Sequence, residues 1–189
     1  MKIILGSASK RRQDILREMG YEFEIIAADI DEKAIRHDDP SQMVLAIANA
    51  KADALVPRLG TEGLLITADL AVVFEGEVLE KPRSEEEAFT TLRGYQGKPV
   101  GGVTAVVVTN LQTGKRASGI DKATVFFKRP FGESTIRDFI KSGKTFEHAG
   151  GLGVERPEFA PFVDHIEGTL DSVMGLPKDL TKKLIAEVQ

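Results

Sequence analysis

Short apolar runs alternate with amphipathic stretches along the chain, and the spacing of the apolar residues changes between strand-like and helical patterns. The clearest helical stripe lies in residues 39–56 and consists of Val44, Leu45, Ala48, Ala52 and Leu55. The same periodicities predict strands over residues 2–5, 23–28, 103–109 and 122–127, and helices over residues 9–19, 39–56, 84–92, 131–142 and 176–188. This order of elements predicts an α/β fold with some antiparallel strands.

Capping residues and turns mark where several of these elements begin or end. Ser84 and Glu87 have the spacing of a capping box at a helix start, and Pro177 is expected in the first turn of the last helix. The polar sequence NLQTGK lies between two apolar strand patterns, which predicts a long hairpin. Residues 63–79 predict two strand segments around Asp69, closed by a turn at Glu75 and Gly76.

The composition narrows the class of protein. A chain of 189 residues with 42% hydrophobic residues can bury a core, and no repeat or linker interrupts it, so we expect one domain over residues 1–189. The formal net charge of -4 argues against a nucleic acid partner, because the chain has no excess of basic residues with which to bind a polyanion. Without cysteine or a membrane-length apolar run, the chain is expected to be cytoplasmic, with no membrane partner and no thiolate metal site.

The first candidate site is the opening loop GSASKRR, which joins a predicted strand to a predicted helix. A helix start supplies backbone N–H groups, Ser7 supplies a hydroxyl, and Arg11 and Arg12 supply guanidinium groups, all of which favour a bound phosphate. The alternative interpretation is a basic turn that is capped by Ser7 or Ser9. The loop by itself leaves both interpretations open, and it lacks the glycine and lysine spacing of a P-loop.

Carboxylates form the second candidate site. Asp69 interrupts the apolar sequence LLITADLAVV, and a carboxylate is almost never buried without a partner. This placement favours a functional aspartate over one that merely ends a strand. The sequence DIDEK gathers Asp29, Asp31 and Glu32, which form either a solvated acidic loop or part of a Mg²⁺ site completed by substrate phosphates.

Two lysines complete the set. Lys51 projects between Val44 and Leu55 at the edge of the apolar stripe, which indicates either a snorkelling side chain or a functional cation. Lys81 precedes Pro82 in the sequence EKP and is either functional or an ordinary surface lysine. Clustered cations together with carboxylates point to metal-assisted attack on a polyphosphate.

Eight motifs, in order along the chain, resemble those of the Maf family of nucleoside triphosphate pyrophosphatases. They are GSASKRR, DIDEK, LAIANAKA, ITAD, EKP, YQGK, AGGLGVE and SVMGLP. The resemblance covers essentially the whole chain, and the residues in these motifs are most similar to those of eukaryotic, plant-like members. It implies a single domain with a mixed, curved β-sheet that is flanked by helices and carries a cleft.

The resemblance also implies an activity, which is hydrolysis between the α- and β-phosphates to a nucleoside monophosphate and pyrophosphate. The implied cofactor is a divalent cation, Mg²⁺ or else Mn²⁺ or Co²⁺. Carried over from the family, Ser7, Arg11, Arg12, Lys51 and Lys81 would hold the triphosphate, and Glu32 and Asp69 would bind metal and activate water. Asp69 would be the general base, and Lys51 and Lys81 would act with it in catalysis. A homodimer is suggested by the family alone.

Three positions depart from the family pattern or select within it. Lys10 replaces the usual proline before the arginine pair, and Leu70 replaces a threonine at a position linked to substrate choice. Glu155 stands where the dTTP/UTP-preferring branch has glutamine and the branch resembling 7-methyl-GTP pyrophosphatases has glutamate. A carboxylate only accepts hydrogen bonds, which suits the N–H groups of a guanine edge and the positive charge of a methylated purine.

We therefore expect an enzyme that clears non-standard nucleotides, with an m7GTP-like substrate favoured over dTTP or UTP. The alternative is a nucleotide-binding regulatory protein with impaired catalysis and a role in septum formation or cell division. The departures at Lys10 and Leu70 motivate this alternative.

Overall fold

The computed structural model describes residues 2–128 and 131–189. Its strands are β1 (Ile3–Leu5), β2 (Glu24–Ile25), β3 (Leu64–Phe74), β4 (Glu77–Leu79), β5 (Val100–Asn110), β6 (Arg116–Phe127) and β7 (Val163–Glu167). Its helices are α1 (Lys10–Glu18), α2 (Pro40–Leu55), α3 (Glu85–Gly94), α4 (Glu133–Lys141), α5 (Leu170–Val173) and α6 (Lys178–Val188). Among these described residues, every helix is too short or too polar to span a lipid bilayer.

The strands form a mixed sheet in the order β2-β1-β3-β5-β6-β7, with β4 paired to β3. β1 pairs in parallel with β2 and β3, whereas β4 runs antiparallel to β3 and β7 runs antiparallel to β6. The alternation of helices with this mixed sheet confirms the predicted α/β class. The predicted hairpin is also confirmed, because β5 and β6 are neighbours and the Asn110 N–H donates to the Lys115 carbonyl across 2.8 Å.

The chain forms two compact units, each assembled from several stretches of sequence. The first unit contains residues 1–70, 103–122 and 171–189, and the second contains residues 71–102 and 123–170. The expectation of one domain over residues 1–189 stays a prediction.

The core of the first unit is built from strands and helices whose apolar residues face one another. It includes Ile3, Leu5, Ile15, Leu16, Leu64, Ile66, Ala68, Val106, Val108, Leu176, Leu184, Ile185 and Val188. Helix α2 starts where Asp39 accepts a hydrogen bond from the Ser41 N–H at 2.8 Å. Four residues of its predicted stripe are fully buried, namely Val44, Ala48, Ala52 and Leu55, whereas Leu45 is half-buried.

The second unit contains an aromatic cluster and a buried tyrosine. Phe159 packs edge-to-face against Phe131 and Phe139, with ring centroids 5.0 and 4.6 Å apart. Tyr95 is fully buried and donates its hydroxyl to the Gly150 carbonyl at 2.7 Å. At Gly150, which has φ +64°, a Cβ atom would come within 2.5 Å of that hydroxyl, so the close contact requires glycine.

The predicted break at Asp69 is wrong. β3 runs without interruption from Leu64 to Phe74, and Asp69 lies within it at 9% exposure. A charge in a hydrophobic pattern resembles the end of a strand, but a strand tolerates a carboxylate that has a buried partner. The partner of Asp69 is described below.

Several other predicted boundaries are also wrong. β2 covers two residues rather than 23–28, because its neighbour β1 offers pairing only at Ile4 and Leu5. Helix α4 begins at Glu133, since Phe131 belongs to the aromatic cluster, and Pro177 is the N-cap of α6 rather than part of its first turn. The predicted turn at Glu75 and Gly76 is confirmed, because it joins β3 to β4. The short elements β7 and α5 lack a clear periodic pattern and were not predicted.

Candidate active site

The centre of the candidate site, in the first unit, is a lysine that contacts two carboxylates. Lys51 Nζ donates to Asp69 Oδ1 at 2.8 Å and lies 3.0 Å from Glu32 Oε1. A longer hydrogen bond of 3.4 Å joins Nζ to the Ala68 carbonyl. Lys51 is 6% exposed, whereas half of the Glu32 side chain is exposed. One ammonium therefore bridges a buried carboxylate and a more solvated one.

Three local elements position these groups. Lys51 lies on the buried face of α2, which is why it points toward β3 rather than into solvent. Thr67 Oγ1 donates to the Ala48 carbonyl at 2.8 Å and thus ties β3 to α2 close to both charged residues. Glu32 begins a short 3₁₀ turn, Glu32–Ala34, that the Asp31 side chain caps through the Lys33 N–H. The snorkelling interpretation of Lys51 is therefore wrong, because its charged end is buried in an ion pair.

The acidic loop contributes one residue to this arrangement. Asp29 and Asp31 are exposed, as the interpretation of a solvated loop predicts, but Glu32 reaches Lys51. Desolvation by burial raises the pKa of Asp69, while the charge and hydrogen bond of Lys51 and the charge of Arg12 oppose that rise. On balance the pKa of Asp69 is raised, so this carboxylate accepts a proton more readily than a solvated aspartate, and Lys51 limits the rise.

Arg12 is held by two hydrogen bonds in the same unit. Its Nε donates to the Gly175 carbonyl at 2.9 Å, and Nη1 donates to Ser7 Oγ at 3.1 Å. Ser7 Oγ also accepts a hydrogen bond from the Ser9 N–H at 3.2 Å, although the Ser9 side chain does not cap α1. Desolvation lowers the pKa of Arg12, and the negative charges of Asp69 and Glu32 raise it. These charges stabilise the buried guanidinium.

Arg12 keeps donor capacity for a ligand. Among the contacts of the described residues, Nη2 makes no hydrogen bond. Ser7 accepts from Arg12 and from a backbone N–H, which leaves its own O–H hydrogen to donate. Both groups suit an anion.

The other predicted site residues are distributed between the two units. Arg11 lies half-buried in the first turn of α1, and Leu70 packs beside Gly175 in the first unit. Lys10, the departure from the family loop, is exposed. Lys81 is exposed in the second unit, directly before the buried Pro82.

Glu155 lies in the second unit, and its side chain is one-fifth exposed. Its Oε1 is 3.8 Å from Arg156 Nε. The loop that leads to Glu155 is fixed to the segment before Lys81, because the Gly150 N–H donates to the Glu80 carbonyl at 2.9 Å.

Sequence comparisons show which family the chain belongs to. The family model described as "Maf-like protein" matches residues 2–188. The chain belongs to the Maf family. A 7-methyl-GTP pyrophosphatase of Dictyostelium discoideum is 40% identical over 193 residues, covering 98% of this chain and 96% of that protein.

Bacterial Maf relatives are somewhat less similar. A dTTP/UTP pyrophosphatase of Carboxydothermus hydrogenoformans is 35% identical, covering 94% of this chain and 93% of its own length. A dTTP/UTP pyrophosphatase of Desulforamulus reducens is 37% identical, covering 93% of this chain and 90% of its own. The Maf motifs quoted above therefore belong to a match that extends along nearly the whole chain.

Sequence reasoning missed two residues that position parts of this Maf chain. Gly175 supplies the carbonyl that holds Arg12, and Tyr95 supports the loop that carries Glu155. Both lie in quoted motifs, SVMGLP and YQGK, so the motifs marked their positions. Neither contact could be predicted, because a backbone carbonyl has no sequence signature and its partner lies far away along the chain.

The chemistry of Glu32 and Asp69 fits a divalent cation. Both carboxylates already contact one positive charge, the Lys51 ammonium, and carboxylate oxygens are suitable ligands for Mg²⁺. No cluster of three or more His, Cys, Asp or Glu side chains with metal-binding geometry occurs in the described part of the chain. Mg²⁺ sites often use only one or two carboxylates together with substrate phosphates, so Glu32 and Asp69 are enough protein ligands for such a site.

Proposed function

We propose that this Maf protein hydrolyses a nucleoside triphosphate between the α- and β-phosphates, releasing a nucleoside monophosphate and pyrophosphate. The observation that carries this proposal is the buried ion pair between Lys51 and Asp69, with Glu32 on the same ammonium. Burial without a catalytic or binding demand would favour apolar residues at these positions. The names of the related pyrophosphatases support the same reaction class.

Cationic and hydroxyl donors in the first unit suit the triphosphate. Arg12 offers Nη2, and Ser7 offers its O–H, from positions that existing hydrogen bonds fix. Arg11 adds charge in the first turn of the same helix. Because phosphoryl transfer depends chiefly on positioning and charge stabilisation, donors fixed before the substrate arrives reduce the cost of binding.

Asp69 is the proposed general base. In the reaction, a water oxygen forms a bond to phosphorus, the bridging P–O bond between the α- and β-phosphates breaks, and pyrophosphate leaves. The proton released by the water passes to Asp69, whose pKa is raised by burial and which is therefore a better acceptor than a solvated aspartate. Lys51 orients this carboxylate through its hydrogen bond to Oδ1.

Glu32 and Asp69 would hold the divalent cation that the family implies, with Mg²⁺ the first choice and Mn²⁺ or Co²⁺ as alternatives. When bound, such a cation neutralises phosphate charge and makes water more acidic. Lys81 is assigned to phosphate binding by the family pattern alone. A homodimer is a hypothesis from the family alone, and light scattering of the purified protein tests it. The cytoplasmic location is a hypothesis from the composition.

The favoured substrate is an m7GTP-like purine triphosphate. Glu155 can accept hydrogen bonds from the N1–H and N2–H₂ groups of guanine and stabilise the positive charge of 7-methylation. The relative named for 7-methyl-GTP is 40% identical, whereas two relatives named for dTTP/UTP are 35% and 37% identical. Leu70 removes a hydroxyl that the family commonly has, so dTTP and UTP stay in the test panel.

The test is a pyrophosphate-release assay with Mg²⁺ and m7GTP, dTTP, UTP, CTP and ITP. We expect release of pyrophosphate with m7GTP as the best substrate. Orthophosphate as the sole inorganic product would contradict cleavage between the α- and β-phosphates. Tight nucleotide binding without any product would instead support the regulatory alternative.

A further inference from the structure

Gly175 lies in a tight turn between α5 and α6. Hydrogen bonds of the neighbouring residues fix the direction of the Gly175 carbonyl. The Gly175 N–H donates to the Ser172 carbonyl at 3.0 Å, and the Leu176 N–H donates to the Asp171 carbonyl at 3.0 Å. The Asp171 side chain also accepts from the Lys178 N–H at 2.6 Å. Gly175 has φ +93°, a conformation that an L side chain rarely adopts. The turn therefore presents the Gly175 carbonyl in a defined direction.

This carbonyl determines the orientation of Arg12. A guanidinium group is planar, so two hydrogen bonds to different nitrogens fix both its position and its plane. Gly175 O accepts from Nε and Ser7 Oγ accepts from Nη1, and Nη2, which shares an edge of the guanidinium with Nε, lies beside Gly175 and takes part in neither bond. Since Arg12 is 9% exposed, these bonds also replace much of the hydration that burial removes.

The missing side chain matters as much as the carbonyl. A Cβ atom at position 175 would lie 3.4 Å from both Nε and Nη2 of Arg12 and 3.5 Å from Leu70 Cβ. These are ordinary packing distances, so an alanine would fill the space beside Nη2 without a clash, and its strain would come from the positive φ. A substitution here would therefore strain the turn that directs the Gly175 carbonyl to Arg12.

We propose that Gly175 is a positioning residue for triphosphate binding, holding Arg12 through its carbonyl and leaving space for Nη2 to meet a phosphate. This inference rests on the proposed function, because it assigns Arg12 to the triphosphate. It adds a backbone group to a set of side chains that the sequence motifs identified.

The test is a double-mutant cycle on binding of inorganic triphosphate, measured by isothermal titration calorimetry. The four proteins are wild type, Gly175→Ala, Arg12→Met and the double variant. We expect Gly175→Ala to weaken binding about tenfold in wild type, and by less than about twofold when Arg12 is already absent. Gly20→Ala is the matched control, because Gly20 has φ +82° and a Cβ atom there would have no neighbour within 4 Å, and it should leave triphosphate binding unchanged.

Equal losses in both backgrounds would overturn the proposal, since they would mean a general structural effect. Failure of wild type to bind triphosphate would overturn it as well. These outcomes are separate from the pyrophosphate-release assay, because the cycle requires no catalysis. A protein that releases pyrophosphate but shows additive losses would therefore retain the proposed function and lose this inference.

A second measurement applies if Gly175→Ala does not fold. In the ¹H–¹⁵N spectrum of wild type, the Arg12 Nε–H should exchange slowly with solvent, because Gly175 O accepts it. The signal is assigned by its loss in Arg12→Lys, and it should persist when triphosphate is added. Rapid exchange of this proton would overturn the proposal.

Discussion

The ammonium of Lys51 lies 2.8 Å from Oδ1 of Asp69, and both side chains are at most 12% exposed. The pair joins helix α2 to the interior of strand β3, and Glu32 contacts the same ammonium from a more exposed position. The attraction within a buried ion pair is largely offset by the desolvation of both charges, so the pair adds little net stability. Removing one partner is nevertheless strongly destabilising, because it leaves the other charge buried and unpaired. This arrangement leads to the first two predictions.

Replacing Lys51 with methionine should destabilise the protein at neutral pH. The change leaves the buried Asp69 charge without its hydrogen-bonding cation, and we expect a loss of about 3 kcal/mol in the free energy of unfolding. Lys51 lowers the pKa of Asp69, so its removal raises that pKa further. As the pH falls through the raised pKa, Asp69 becomes neutral in the folded protein, and the difference from wild type should shrink. Urea unfolding at several pH values measures it.

Asp53→Asn is the matched control for this prediction. It removes an exposed ion pair in which Arg116 lies 2.7 Å from an Asp53 side chain that is 67% exposed. Solvent screens such a pair, so the control should cost less than about 1 kcal/mol. Equal losses in the two variants would contradict the importance of burial at Lys51.

Asp69→Asn should abolish turnover while preserving the fold. The amide oxygen can still accept the hydrogen bond from Lys51, but it cannot take a proton from water at neutral pH. We expect kcat to fall by about 10²- to 10⁴-fold, the usual contribution of a general base. Pyrophosphate release measures the loss, and circular dichroism with thermal unfolding checks the fold. Full activity in a folded variant would remove Asp69 from the role of base.

Glu155→Gln should shift base preference toward pyrimidines. Glutamine offers both a donor and an acceptor, as the edge of thymine or uracil requires, whereas glutamate only accepts. We expect the ratio of kcat/KM for m7GTP to that for UTP to fall by about tenfold or more, since unsatisfied polar groups discriminate strongly. An unchanged ratio, with activity retained, would show that position 155 does not select the base.

Tyr95 should make the stability of the protein decline at alkaline pH. Burial raises its pKa, so in the folded state the phenol stays protonated where an unfolded tyrosine ionises at about pH 10. The unfolded state then binds fewer protons than the folded state, and stability falls as the pH rises above that value. The contribution is fully present at lower pH.

Tyr95→Phe provides the comparison. It removes the hydrogen bond to the Gly150 carbonyl and should cost about 1 to 2 kcal/mol at pH 7. Because phenylalanine does not ionise, the advantage of wild type should diminish as the pH rises above about 10. Chemical unfolding across this range measures the difference, and a constant difference up to strongly alkaline pH would contradict the burial argument.

Much of the fold follows from local sequence signals. The stripe on α2, the N-cap at Ser84 and the NLQTGK hairpin were predicted because each depends on residues that are close together in the chain. Short elements such as β2 and β7 were misjudged because their limits depend on the strand beside them. The site residues were singled out by motif order and by charge against an apolar pattern, and their catalytic and binding roles stay predictions.

The sequence by itself determined the α/β class, the family and the residues that carry charge into the core. Only the tertiary structure decided their partners. It placed Lys51 on Asp69, 18 residues away, and Arg12 on the Gly175 carbonyl, 163 residues away. Local periodicity and capping act over a few residues, whereas a buried charge takes its partner from whichever element packs against it, and a backbone carbonyl is identical at every position of the chain.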